Sequence, residues 1–180
     1  MSGQGIRMSL VIDDAVDEAA PTLPTASPVI RVDGKFFRSG LSDDAPKHFV
    51  KGVTYGPFAP GSHGAQFPEF AMVERDFALM RTAGINTVRV FTVPPLWLLD
   101  AAQRYGLKVL VGLPWSQHVA FIDSAEIQAG IRDAVVAGVR ACGRHEAVFA
   151  YLVGNEIPPD VIRWHGARAV EKFVASLVAL

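Results

Sequence analysis

One unit of sequence recurs three times and restricts the fold more than any other feature. A helical segment stops at a glycine, and an apolar strand begins within a few residues. The junctions are Ala83-Gly84-Ile85, Tyr105-Gly106-Leu107 and Cys142-Gly143-Arg144. Glycine suits these stops because the residue after a helix commonly adopts the left-handed conformation. The strands that follow cover 85–91 (INTVRVF), 108–113 and 148–153, and FVKGVTY at 49–55 reads as a fourth. Near-continuous apolar strands that alternate with helices mean a parallel sheet covered on both faces, with right-handed crossovers.

The helices are legible from period and caps. Phe70, Val73, Phe77 and Met80 share one face of a segment over 68–83, with Pro68 in its first turn. Pro94-Pro95 opens a second helix that ends at Tyr105. Asp123 and Glu126 form an Asp variant of the capping box, ahead of Ile127, Ile131, Val135 and Val139. A fourth helical region fills 159–180.

Two architectures satisfy this pattern, an open doubly wound sheet and a closed (β/α)8 barrel. After the first strand, TYGPFAPGSHG is glycine-containing but has neither GxGxxG nor GxxxxGK, which leaves little support for a dinucleotide or nucleotide site. The barrel is the better expectation. A full barrel takes about 250 residues and eight strands, and this α/β chain shows four. Its last residues, VASLVAL, are still in helical register. The expectation is the first four units of a TIM-type barrel over 28–180. Such a half would self-associate, or pair with a missing C-terminal half, to cover its inner face. Ahead of the barrel, 29–38 reads as a hairpin about Asp33-Gly34, with a polar connection over 39–47. Residues 1–27 read as a flexible tail or linker.

Composition removes several classes of function. The formal charge of −1 disfavours nucleic-acid and anionic-membrane partners. No apolar run approaches the ~20 residues of a membrane span. The N-terminus lacks the layout of a signal peptide, so the expectation is a cytoplasmic protein. The single cysteine, Cys142, excludes an internal disulfide and reads as a small buried hydrophobe. The five histidines show no metal-ligand spacing, and no serine stands in a GxSxG setting. No cofactor or metal is expected.

The segment that carries chemistry is VFAYLVGNEIPPD at 148–160. Its apolar run ends in Asn155 and Glu156, which puts a carboxylate at the C-terminal tip of a strand, where ligands collect in α/β folds. Several patterns together resemble clan A glycoside hydrolases, especially the barrel domain of glycoside hydrolase family 2. They are VDGKFF followed by VKGVTYGPF, ERDFALMRTAGINTVRVF, AAQRYGLKVLVGLPW and GNEIP. The resemblance covers about residues 28–180. It implies retaining hydrolysis of β-linked glycosides with Glu156 as general acid/base. It also implies that Asn155 contacts a sugar 2-hydroxyl, that Arg89 sits below the catalytic carboxylates, and that a nucleophilic Glu comes from a seventh strand that this chain does not have.

Each of these residues also has a plainer explanation. Glu156 is acceptable near a helix N-terminus, Asn155 suits a turn, and Arg89 can reach solvent from a strand end. Tyr55, His63, Trp115 and His118 follow predicted strand ends and are expected at the same mouth as sugar contacts. Each can instead be a packing or surface residue. Trp97 and Trp164 read as core. A non-catalytic carbohydrate-binding or regulatory module, attached to a glycan-synthesising glycosyltransferase, is the alternative to a glycosidase.

Overall fold

The computed structural model describes residues 28–61, 64 and 66–180. The tail expected over 1–27, and His63, lie outside the described residues.

A small antiparallel sheet comes first, formed by β1 (Ile30–Asp33), β2 (Phe36–Ser39) and β3 (Lys47–His48) in that order. Asp33 pairs with Phe36 across a two-residue turn in which Gly34 takes φ +57°, a conformation that costs glycine nothing. The polar connection expected over 39–47 ends in β3, which pairs with β2 and completes the sheet. Phe37 meets Phe149 edge to face at 5.0 Å, and His48 lies 6.0 Å from the same ring. His48, Lys108 and Asn86 also line one shared cleft. The small sheet therefore sits against the N-terminal ends of the parallel strands and leaves their C-terminal ends open.

The main sheet is built from four parallel strands in sequence order. They are β4 (Gly52–Thr54), β5 (Thr87–Val90), β6 (Lys108–Gly112) and β7 (Val148–Leu152). Between them run α1 (Phe70–Thr82), α2 (Leu96–Arg104) and α3 (Ala125–Cys142), and α4 (Pro159–His165) and α5 (Ala167–Val178) follow. Register fixes which face each side chain takes. Val88 pairs with Val109 and Val90 with Val111, and all four are fully buried with Val73, Phe77, Leu98 and Leu99 from the helices. Burying each such side chain contributes roughly 1.5–3 kcal/mol. The alternate positions, Arg89, Leu110 and Gly112, share the opposite face, which is the inner face of the curving sheet.

Three sequence expectations need correction. The cap of α3 is Ser124, whose hydroxyl accepts from the Ile127 N–H at 3.2 Å, not Asp123. Asp123 is engaged elsewhere, accepting from Trp164 Nε1 at 2.7 Å and lying 3.4 Å from His165. Trp164 is accordingly a surface residue, 72% exposed, and not core. Finally, the region 159–180 is two helices, because Gly166 at φ +82° breaks it. Cys142 is buried, as expected, and burial raises its thiol pKa.

Among the glycines of the main sheet, Gly112 has the least room for a side chain. A Cβ there would lie 2.7 Å from the Phe91 carbonyl oxygen and 2.8 Å from that of Val90. Both are backbone atoms and cannot rotate aside. At Gly138 of α3 the obstacle at 2.7 Å is the end of the Leu113 side chain, which can move. Gly112→Ala is therefore expected to destabilise the protein by about 1–3 kcal/mol, and Gly138→Ala by distinctly less, as read by urea unfolding.

Burial, then the Lys108 cation, lowers the pKa of His48 below its ordinary value. The unfolded chain takes up that proton near pH ~6.5, while the folded protein resists it. Stability from this group is therefore complete above that pH and falls as pH drops through and below it. His48→Gln should flatten the fall in melting temperature between about pH 7 and 5.

Candidate active site

The C-terminal ends of β5, β6 and β7 bring together residues that are far apart in sequence. Arg89, on the inner face of β5, donates from its guanidinium to Asn155 Oδ1, just past β7. The strand between them, β6, presents Leu110 and Gly112 on this face. The guanidinium carbon also lies 4.6 Å from the centre of the Phe91 ring, a distance at which a cation is attracted by the ring face. Arg89 Nε is buried and has no partner among the described residues. The sequence reading expected Arg89 to find a carboxylate, and its partner is an amide oxygen.

Asn155 is held at a second point. Its backbone N–H donates to Gln117 Oε1 at 2.8 Å. Because Oδ1 is committed to Arg89, the amide's Nδ2 is left as a donor. This side chain bridges elements, so it is more than a residue that accommodates a turn.

Glu156 follows directly and is exposed. It is the one non-glycine among the described residues with a positive φ, at +52°. A left-handed conformation costs such a residue roughly 1–2 kcal/mol, and strain of this kind collects at functional positions. Its carboxylate has no hydrogen bond or ion pair among the described residues. Glu156 does not serve the N-terminus of α4 either, since Asp160 occupies that first turn.

The other expected sugar contacts fare differently. Tyr55 does not face the mouth. Register aligns Thr54 with Arg89 on the inner face, so the next residue turns outward. Tyr55 is 6% exposed and packs on Phe77, and its hydroxyl donates to Asp76 of α1 at 3.0 Å. Burial, then that carboxylate, raises its phenol pKa well above the ordinary value. Trp115 lies at the right end of the sheet but is tied into packing. Its ring meets Phe121 and Phe173 edge on, and its Nε1 donates to the Val153 carbonyl. His118 is exposed in the loop before α3. His63 lies outside the described residues. Trp97 is partly buried, 5.9 Å from Phe70.

Gln117 and Phe91 were missed from sequence. Phe91 was legible as the residue two beyond Arg89, on the same face of an extended strand. Gln117 carried no signal, because a glutamine in a Pro- and Ser-containing loop looks like a surface residue. Three or more metal-ligating side chains do not cluster anywhere among the described residues.

No family model matches the chain. Among curated proteins it is similar to the 1,3-beta-glucanosyltransferase GAS5 of Saccharomyces cerevisiae, at 22% identity over 97% of this chain and 37% of that protein. It is also similar to the 1,3-beta-glucanosyltransferase gas5 of Schizosaccharomyces pombe, at 25% identity over 74% of this chain and 27% of that protein. The chain thus spans well under half the length of these relatives. Among solved structures, Gas2p of Saccharomyces cerevisiae in complex with laminaripentaose superposes with a TM-score of 0.62 at 20% identity, over 85% of this chain and 36% of that one. A β-glucuronidase from Ruminococcus gnavus, bound to a C6-substituted uronic isofagomine, gives 0.61 at 16% identity, over 83% and 25%. These likenesses establish the fold: four parallel βα units of the (β/α) barrel kind.

Proposed function

We propose that this chain is the acid/base-bearing part of a retaining barrel enzyme that acts on β-linked glucans and passes the cleaved chain to a sugar acceptor. The observation that carries the reading is the placement of Glu156 at the C-terminal end of the fourth parallel strand, next to an Asn155 tethered to Arg89 of the second. The glucanosyltransferase names of the curated relatives favour transfer over plain hydrolysis, and they favour that group over glycoside hydrolase family 2.

Retaining chemistry needs two carboxyl groups about 5–5.5 Å apart. In this reading Glu156 protonates the departing glycosidic oxygen while a second carboxylate, supplied outside the described residues, attacks the anomeric carbon. The glycosyl–enzyme ester then opens to an incoming hydroxyl. Glu156, now ionised, takes the proton from that hydroxyl. With water as acceptor the outcome is hydrolysis, and with a sugar hydroxyl it is transfer. Asn155 Nδ2 offers a hydrogen bond to a substrate hydroxyl, and Arg89 holds the amide in that orientation.

The alternative is a carbohydrate-binding module without turnover, and one substitution separates the two. In full-length protein incubated with laminaripentaose, Glu156→Gln is expected to lower formation of longer and shorter oligosaccharides by about 10²–10⁴-fold. An aryl β-glucoside whose leaving group needs no protonation should lose much less. Chromatography of the products measures both. Sugar binding that is indifferent to Glu156→Gln, with no turnover in either protein, would favour the binding module.

A further inference from the structure

The loop between β6 and α3 holds the turn that carries Glu156 at two points. Trp115 Nε1 donates to the Val153 carbonyl, and Gln117 Oε1 accepts from the Asn155 N–H at 2.8 Å. Gln117 is only 9% exposed, and its own N–H bonds the Trp115 carbonyl at 2.9 Å, so the loop is itself braced. Asn155 is then fixed through its backbone by Gln117 and through its side chain by Arg89. Glu156 comes next, at φ +52°, with no partner for its carboxylate among the described residues. Nothing attached to that carboxylate sets its direction, so the backbone must do so. The backbone conformation is one that a non-glycine residue leaves readily unless its surroundings enforce it.

We propose that Gln117 is a positioning residue that holds the Asn155–Glu156 turn in its left-handed form and so aims the Glu156 carboxyl at the sugar. This rests on the reading of Glu156 as the acid/base. Gln117 itself need not touch substrate. Its role requires an acceptor at the position of Oε1, which a glutamate supplies and a methionine of similar length does not.

The test uses full-length protein with laminaripentaose and with an activated aryl β-glucoside. Gln117→Met should lower kcat on laminaripentaose by ~10–100-fold, the scale of a catalytic group misplaced by about 1 Å. KM should stay within about twofold, and the activated glucoside should lose less, as expected when leaving-group protonation is what suffers. Gln117→Glu should restore most of the turnover. Amide hydrogen exchange over 153–157 should quicken in the Met variant and not in the Glu variant. Unchanged kcat and unchanged exchange in Gln117→Met would overturn the proposal. So would a joint fall of kcat, binding and melting temperature that Gln117→Glu fails to reverse. Glu156→Gln run in parallel separates the layers. Loss there, with none in Gln117→Met, sinks only the positioning role, whereas full turnover in Glu156→Gln removes the acid/base reading beneath it.

Discussion

The hydrogen bond from Arg89 to Asn155 is the constraint on which the arrangement of the strand ends depends. It joins residues 66 positions apart in sequence and crosses a whole strand to do so. The strand that it crosses carries a glycine pressed against the neighbouring backbone. A side chain at 112 would clash with the carbonyls of Val90 and Phe91. A sequence that places arginine on the inner face of one strand needs a polar acceptor within its reach, because a guanidinium taken out of water must be hydrogen-bonded.

The two ends of the parallel sheet are treated in opposite ways. At the N-terminal end, the small antiparallel sheet packs Phe37 and His48 against Phe149, and Lys108 is buried with its Nζ on the Glu146 carbonyl at 2.8 Å. Burial there lowers the pKa of both His48 and Lys108, as expected when apolar packing excludes water from basic groups. At the C-terminal end, the polar groups Arg89, Gln117, Asn155 and Glu156 remain in a connected and partly exposed row. In a (β/α) barrel, stability belongs to the first end and chemistry to the second.

Most of this was legible in the sequence where one rule decided it. Glycine stops and apolar runs placed the βα units to within two or three residues. The Asn-Glu pair after an apolar run pointed to the C-terminal end of the sheet, and both residues lie just past β7 there. What stayed hidden depended on facing and on competition. Tyr55 closes its strand as expected, but whether it faces the mouth or α1 turns on a one-residue parity that an exposed edge strand does not reveal. Asp123 has the composition of a cap, yet Trp164 and His165 claim its carboxylate and Ser124 caps the helix instead. Gln117 was invisible because its contact is with one backbone N–H in a turn 38 residues away.

The electrostatics of the row bear on what completes it. Arg89 carries a full charge, and its partners in the described chain are an amide oxygen and an aromatic face, with Nε left over. Neither partner neutralises it. A half-buried guanidinium in that condition favours an anion close by, since the charge is desolvated without being paired. In a retaining enzyme the second carboxylate must stay ionised while the first holds its proton, and a fixed cation beneath the pair lowers the pKa of the group that it faces more. In the proposed reaction, the unspent charge on Arg89 suits a second, ionised carboxylate brought close to it.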